Sequence, residues 1–348
     1  MPEISESISQ RKKEHIALCL TGEVSFKSKT TGFENYDFKH YAITEVDLRK
    51  ISFNTDFFGK KINYPFLISC MTGGVSEAEN INMQLAVAAN ELNIPVGVGS
   101  QRQALENKTY HQSYKALRKN APSIPVLGNI GAAQIAKLKN LDQVRLLAEL
   151  VNADVMVIHV NPLQELLQYK GQPDFSGFIK ALEKLVRFLD IPVVVKEVGA
   201  GISKKAASRL LNIGVKGIDV AGAGGTSWAG VEILRNKSDK GSEFWDWGLP
   251  TSYCLRTVGK LKNKFDFMLI GSGGINNAAD AAKAFALGAD ITASARIILQ
   301  VLDKSGVEGV VQLIKDWFET IKHVMYLTGS NSIEELKDGK LIRKEKFF

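Results

Sequence analysis

The sequence predicts an α/β protein: a (β/α)8 TIM barrel with an N-terminal extension and a long loop after strand 6. Three observations carry this prediction. From Tyr64 onward, a short apolar run, a glycine-containing turn and an amphipathic helical stretch follow one another in a repeating cycle. The apolar runs are near-continuous, as strands buried on both faces of a parallel sheet are. The cycle repeats eight times, in a stretch close to the roughly 250 residues such barrels use, which favours closure over an open doubly wound sheet.

Taken in order, residues 1–63 are mixed and polar, and the alternation over 40–51 (HYAITEVDLRKI) predicts an extended or hairpin segment. The predicted strands are 66–70, 95–99, 124–129, 154–159, 192–197, 217–221, 267–271 and 291–295. Helical patterns separate most of them, over 78–92, 175–189, 204–211 and 277–287, and the region 132–150 is broken near Lys139-Asn140. The segment 226–250 is too long for a simple strand-to-helix turn. Trp228, Trp245 and Trp247 make it too aromatic for a solvated linker, so it reads as a partly ordered cover over the site. The rest of the chain completes the barrel, adds a long helix around 307–327 and ends in a basic tail. The expected organisation is an extension at 1–63 contributing substrate-binding residues, a barrel at 64–330 and a C-terminal tail at 331–348.

Composition excludes several function classes. With 45% hydrophobic and 23% charged residues in 348, the chain has the make-up of an ordinary soluble globular protein. Its N-terminus lacks the apolar segment of a secretory signal, and no apolar run approaches the length of a membrane span. Cys19, Cys70 and Cys254 are odd in number and far apart, against a disulfide framework or a structural zinc site. A cytoplasmic location is expected. The net charge of +7 suits anionic partners, but Lys and Arg are spread along the chain and no nucleic-acid motif is present. Neither nucleic acid nor membrane is therefore an expected partner, and small phosphorylated ligands are.

The polar residues that end strands carry the chemistry. The fourth predicted strand runs into VIHVNPLQE at 157–165, where Pro162 stops it amid His159, Asn161, Gln164 and Glu165. Ligands of parallel barrels bind beyond the carboxyl ends of strands, so this cluster is either a reactive centre or the polar start of the next helix. Lys196 closes the fifth strand and needs an anionic partner, Glu197, Asp219 or Glu165, unless a ligand supplies one. Met71 to Gly74 after the first strand, Ser100 with Arg102 after the second, and Asn129 with Gln134 after the third add polar groups to the same rim. Ser272-Gly273-Gly274 after the seventh strand and Ala295-Arg296 after the eighth occupy the place where barrels commonly hold phosphate.

Along the chain stand RKKEH at 11–15, MTGG at 71–74, GSQR at 99–102, GNIGAAQ at 128–134 and HVNPLQE at 159–165. KEVGAGIS at 196–203, AGGTSW at 223–228, WGLPT at 247–251 and SGGI at 272–275 follow. The ordered set resembles the type 2 isopentenyl diphosphate isomerases, FMN-dependent (β/α)8-barrel enzymes of isoprenoid synthesis. The resemblance implies interconversion of isopentenyl and dimethylallyl diphosphate by an allylic 1,3-proton shift. Reduced FMN would act as acid and base, Mg2+ would anchor the diphosphate, and NADPH would serve to reduce the flavin.

The same resemblance implies that Met71, Thr72, Gly73, Ser100, Asn129, Lys196, Thr226, Gly273, Gly274, Ala295 and Arg296 hold FMN, with Lys196 at the N1/O2 edge. Arg11, Lys12, Ser100, Gln101 and Arg102 would grip the diphosphate, Glu165 would hold Mg2+, and Gln164, which would also bind substrate, and His159 would face the isoprene chain and the flavin as the catalytic side chains. Ala221 stands where the family often has a flavin-contacting serine, so a cofactor contact there would come from its backbone. Asn276 stands where an arginine is common. A homo-oligomer, tetramer or octamer, is expected from the resemblance. Two rivals predict otherwise. A 2-hydroxy-acid oxidase needs a histidine base in the sixth-strand loop, which reads AGAGGTSW. A non-catalytic flavin-binding protein would be indifferent to loss of Gln164 or Glu165.

Overall fold

The computed structural model describes residues 2–21, 23–71 and 76–346. The chain opens with helix α1 (Pro2–Thr21), in which proline stands at the one end of a helix that tolerates it. Strand β1 (Tyr36–Phe38) follows, then a hairpin of β2 (Thr55–Phe57) and β3 (Lys60–Ile62). Its two turn residues, Phe58 and Gly59, both have positive φ, 49° and 89°, the turn geometry that matches strand twist.

Eight parallel strands then close into a barrel in chain order. They are β4 (Phe66–Ile68), β5 (Val96–Gly97), β6 (Val126–Gly131), β7 (Val155–Val160), β8 (Val193–Glu197), β9 (Gly217–Asp219), β10 (Met268–Gly271) and β11 (Ile291–Ser294). The closing contact pairs Thr292 with Phe66 and Ser294 with Ile68. The helices between them are α2 (Ser76–Leu92), α3 (Arg102–Glu106), α4 (His111–Asn120), α5 (Ala132–Lys137), α6 (Asp142–Leu150), α7 (Pro162–Leu167), α8 (Phe178–Phe188), α9 (Lys204–Asn212), α10 (Trp228–Asn236), α11 (Thr251–Val258) and α12 (Ala278–Ala286). Helix α13 (Arg296–Leu327), α14 (Ile333–Lys337) and β12 (Leu341–Arg343) complete the chain, and β12 pairs antiparallel with β1.

Alternation along the strands sorts the core. Leu67, Leu127, Val155, Val157, Val194, Ile270, Ile291 and Ala293 fill the barrel interior, while their neighbours Met156, Ile158, Val193 and Val195 pack outward against helices. Phe57 and Ile62 of the hairpin join the interior cluster. A Cβ on Gly217, the first residue of β9, would lie 3.2 Å from the Phe58 ring. The hairpin therefore plugs the amino end of the barrel and leaves the carboxyl end open.

Three local expectations change. The alternation over 40–51 forms no hairpin. Only a short 3-10 turn at Leu48–Lys50 lies there, and Val46 and Ile51 anchor an irregular crossing to the outer core. The aromatic segment 226–250 is more ordered than a partial cover, since α10 forms within it and Trp245 is buried against Gly230. The long C-terminal helix starts at Arg296 and is broken at Gly306 (φ 64°, ψ −162°), so the expected 307–327 stretch is its second half. Among the described residues, no helix is long and apolar enough to cross a membrane.

Candidate active site

The carboxyl ends of the barrel strands, helix α1 and helix α10 enclose one cavity of about 270 Å³. Of the residues singled out from the sequence, Arg11, Lys12, Met71, Ser100, Arg102, Asn129, His159, Gln164, Glu165, Lys196, Ala221, Thr226, Gly273, Gly274, Ala295 and Arg296 line it. Thr72 and Gly73 lie outside the described residues. Gln101 does not line the cavity and is a correction. Its fully buried side chain donates to the Leu147 carbonyl (2.8 Å) and accepts from the Asn129 amide (2.9 Å). It steadies Asn129 from behind.

Toward the carboxyl ends of the neighbouring strands β6 and β7, Asn129 and His159 set each other's orientation. Asn129 donates Nδ2 to the Val98 carbonyl (3.1 Å), so its Oδ1 accepts from His159 Nδ1 at 2.9 Å. Burial first, then the nearby charges of Lys196 and Lys12, lower the His159 pKa to about 4. The imidazole is neutral at physiological pH, with its proton on Nδ1 and Nε2 left as the acceptor.

One turn further, Gln164 accepts from Asn161 Nδ2 (2.9 Å) and donates Nε2 to Glu232 Oε1 (3.2 Å). Glu232, on α10, is fully buried and also accepts from His15 Nε2 (2.9 Å) and from Arg235. Burial pushes the Glu232 pKa up, but the hydrogen bond and charge of His15 and the charge of Arg235 outweigh it and hold the group ionised. Sequence reasoning missed Glu232. Its only signal was a carboxylate three residues before an arginine within a stretch expected to be loop.

Glu165 is buried, and its two oxygens take one weak bond from Asn161 Nδ2 (3.3 Å) and one from the Gln172 amide (2.7 Å). The Asn161 Oδ1 beside it is buried with no partner. One carboxylate and one unpartnered amide oxygen form an all-oxygen set that suits a hard cation completed by water and ligand oxygens, the habit of Mg2+. Among the described residues, no three His, Cys, Asp or Glu side chains gather as a self-sufficient metal cage.

Cations dominate the rim under α1. Lys12 Nζ donates to the Ser100 carbonyl (3.3 Å), which also accepts from Tyr114 (2.7 Å). Burial and the charges of Arg11 and Arg102 pull the Lys12 pKa down to about 7, against the attraction of Glu106. Arg11 is likewise lowered, by burial and then by Arg102. Three cations gathered in one place against this cost are arranged for a multivalent anion.

Lys196 donates to the Glu197 carbonyl (2.8 Å) and stands 3.6 Å from Asp219 Oδ2, so of the three partners expected from sequence its carboxylate partner is Asp219. The Glu197 carboxylate instead takes backbone N–H groups of residues 198–201. Ala221 lines the cavity, where its N–H donates to Asp219 (3.3 Å) and its carbonyl accepts from Gly201 (3.1 Å).

At the seventh and eighth strand ends the glycines are needed for loop packing. A Cβ on Gly273 would sit 2.2 Å from the Gly222 carbonyl, and one on Gly274 would sit 2.5 Å from the Thr31 methyl. The anion-binding signal there is Arg296. Its buried Nη1 has no partner, and it begins α13 after Ala295, which offers no side-chain cap. An unspent guanidinium nitrogen at an uncapped helix N-terminus fits a phosphate monoester such as that of FMN.

The FMN-dependent dehydrogenase family pattern matches residues 4–119 and 131–343. Isopentenyl-diphosphate delta-isomerase of Pelodictyon phaeoclathratiforme is 43% identical, over 97% of each chain. The protein of the same name from Pyrococcus furiosus is 42% identical, over 95% of this chain and 86% of its own. That from Cronobacter sakazakii is 43% identical, over 97% and 98%. Among solved structures, a flavocytochrome b2 variant with sulfite bound superposes with a TM-score of 0.71 at 20% identity, covering 95% of this chain and 83% of that one. A lactate oxidase of Pediococcus acidilactici gives 0.68 at 19%, covering 97% and 94%. At those identities the two structures share the fold with this chain.

Proposed function

This chain belongs to the type 2 isopentenyl-diphosphate delta-isomerases of the FMN-dependent dehydrogenase family, and we propose that its cavity performs a Mg2+-assisted allylic proton shift between isopentenyl and dimethylallyl diphosphate. The observation that supports this most is the division of one cavity into three environments. A cationic end (Arg11, Lys12, Arg102), a neutral wall (His159, Gln164) and a separate anion pocket at Arg296 meet at the barrel mouth. Substrate diphosphate suits the first, its hydrocarbon tail the second and the flavin phosphate the third.

Bound and reduced, with NADPH as the proposed reductant, FMN would supply an acid–base nitrogen and a π face for the proton shift. Lys196, set by Asp219, would hold the pyrimidine edge of the flavin, where a positive charge favours the anionic reduced ring. Ser100, Asn129, Met71, Thr226 and Ala295 would hold the rest of the ring and ribityl chain, with Thr72 and Gly73 proposed from sequence. Glu165 would hold Mg2+, which would share the diphosphate charge with Arg11, Lys12 and Arg102 and so anchor a substrate whose tail offers no polar handle. Gln164, oriented between Asn161 and Glu232, presents an amide to the reacting carbons, and neutral His159 adds no cation to compete with the one that forms. Residues 1–63 act in this reading as an extension completing the substrate pocket, and family membership supports a homo-oligomer, tetramer or octamer, which light scattering measures.

The test is direct. The purified protein should show, or take up, a yellow flavin spectrum and convert isopentenyl diphosphate anaerobically with Mg2+ and NADPH. A colourless protein unable to bind added FMN would sink the reading. Turnover with oxidised flavin and EDTA would overturn the mechanism. The sixth-strand loop, which bears no histidine, disfavours hydroxy-acid oxidation despite the shared fold.

A further inference from the structure

Three barrel strands in succession, β11, β4 and β5, are followed at the cavity by a polar side chain with a buried, unpartnered atom: Arg296, Ser69 and Gln103. Gln103 is the most completely unmet of the three. It is 1% accessible, lines the cavity from the first turn of α3, and neither its Nε2 nor its Oε1 has any hydrogen-bond partner. A carboxamide withdrawn from water with both ends unmet destabilises the unliganded fold. Leucine or methionine would fill the same space without that penalty.

We propose that Gln103 is a substrate-binding residue whose Nε2 donates to the diphosphate. The inference rests on reading the cationic end of the cavity as the diphosphate site. Gln103 follows Ser100 and Arg102 in the same short segment, and Lys12 is tied to that segment through the Ser100 carbonyl (3.3 Å). Arg11 and Lys12 each feel the charge of Arg102, the residue before Gln103, so the segment that carries the amide borders the cationic end of the cavity. Diphosphate offers more acceptor oxygens than three cations can meet in good geometry, and a neutral N–H donor adds a contact without further mutual repulsion. The amide oxygen then suits a water or cation hydrogen drawn in with the ligand.

The experiment compares the FMN-loaded wild type with Gln103→Leu, Gln103→Met and Gln103→Glu. It reads thermal midpoint without ligand, affinity for inorganic pyrophosphate with Mg2+, KM for isopentenyl diphosphate, and affinity for FMN. Leu and Met should raise the unliganded midpoint while weakening pyrophosphate binding and raising KM by about 10- to 100-fold, the loss of one hydrogen bond to a charged acceptor. Glu, acceptor-only and anionic, should weaken binding more than Leu does. FMN affinity should stay as in the wild type. Unchanged pyrophosphate affinity in both apolar variants overturns the proposal, as does a loss of FMN affinity in its place. If the wild type neither binds pyrophosphate nor turns over, the proposed function fails first and this contact with it.

Discussion

At the residue scale, charge and its absence organise the cavity. Glu165 keeps its carboxylate only loosely satisfied, so Glu165→Gln should leave the flavin spectrum intact, abolish the response to added Mg2+ and lower turnover by about 100-fold or more. Lys12 gives a pH signature with two signs. Its pKa in the fold is about 7 against an ordinary 10.5, so between those values the unfolded chain binds the extra proton and the fold does not. Stability of the unliganded protein should therefore rise with pH across that window, its penalty being complete below pH 7. Capture of diphosphate, read as kcat/KM, should fall over the same window as the cation disappears. Lys12→Arg should flatten the kcat/KM profile in a pH titration. A profile unchanged by that substitution would assign the titration elsewhere.

At the element scale, α10 and α1 brace one another. His15 and Glu14 of α1 bond Glu232 and Arg235 of α10, and α10 itself rests on Trp245. A Cβ on Gly230 would enter the Trp245 ring at 2.7 Å. Gly230→Ala should therefore destabilise the protein by about 1–3 kcal/mol and reduce activity by displacing Glu232 from Gln164, as calorimetry and turnover would show. The sequence identified this segment as aromatic cover and could not resolve its helix. Glu232 is the reason. In a pattern of apolar positions a carboxylate marks a solvated face, and its burial is made tolerable by Arg235 together with partners distant in sequence, His15 and Gln164. Helix α1 was hidden for the same reason, because its polar residues face a cavity that the barrel creates.

At the scale of the whole molecule, the two ends of the barrel have separate tasks. The hairpin bearing Phe57 and Ile62 fills the amino end, and the polar strand ends open at the other. Phe57→Ala should cost about 3–5 kcal/mol of stability while leaving kcat of the folded fraction unchanged, and denaturant melts paired with assays would show it. The eight strands, the broken helix after the third and the polar ends that carry His159, Lys196 and Arg296 were legible because buried parallel strands and amphipathic helices impose local periods on the chain. So were the ordered motifs that identified the family. Other features were decided only by closure of the barrel. Gln101 turned inward to hold Asn129, Asp219 became the partner of Lys196, and Gln103 was buried with its amide unmet. Each of these depends on which strand ends become neighbours around a closed ring. A local pattern shows that a residue is polar and ends a strand, but it does not show what that residue will face.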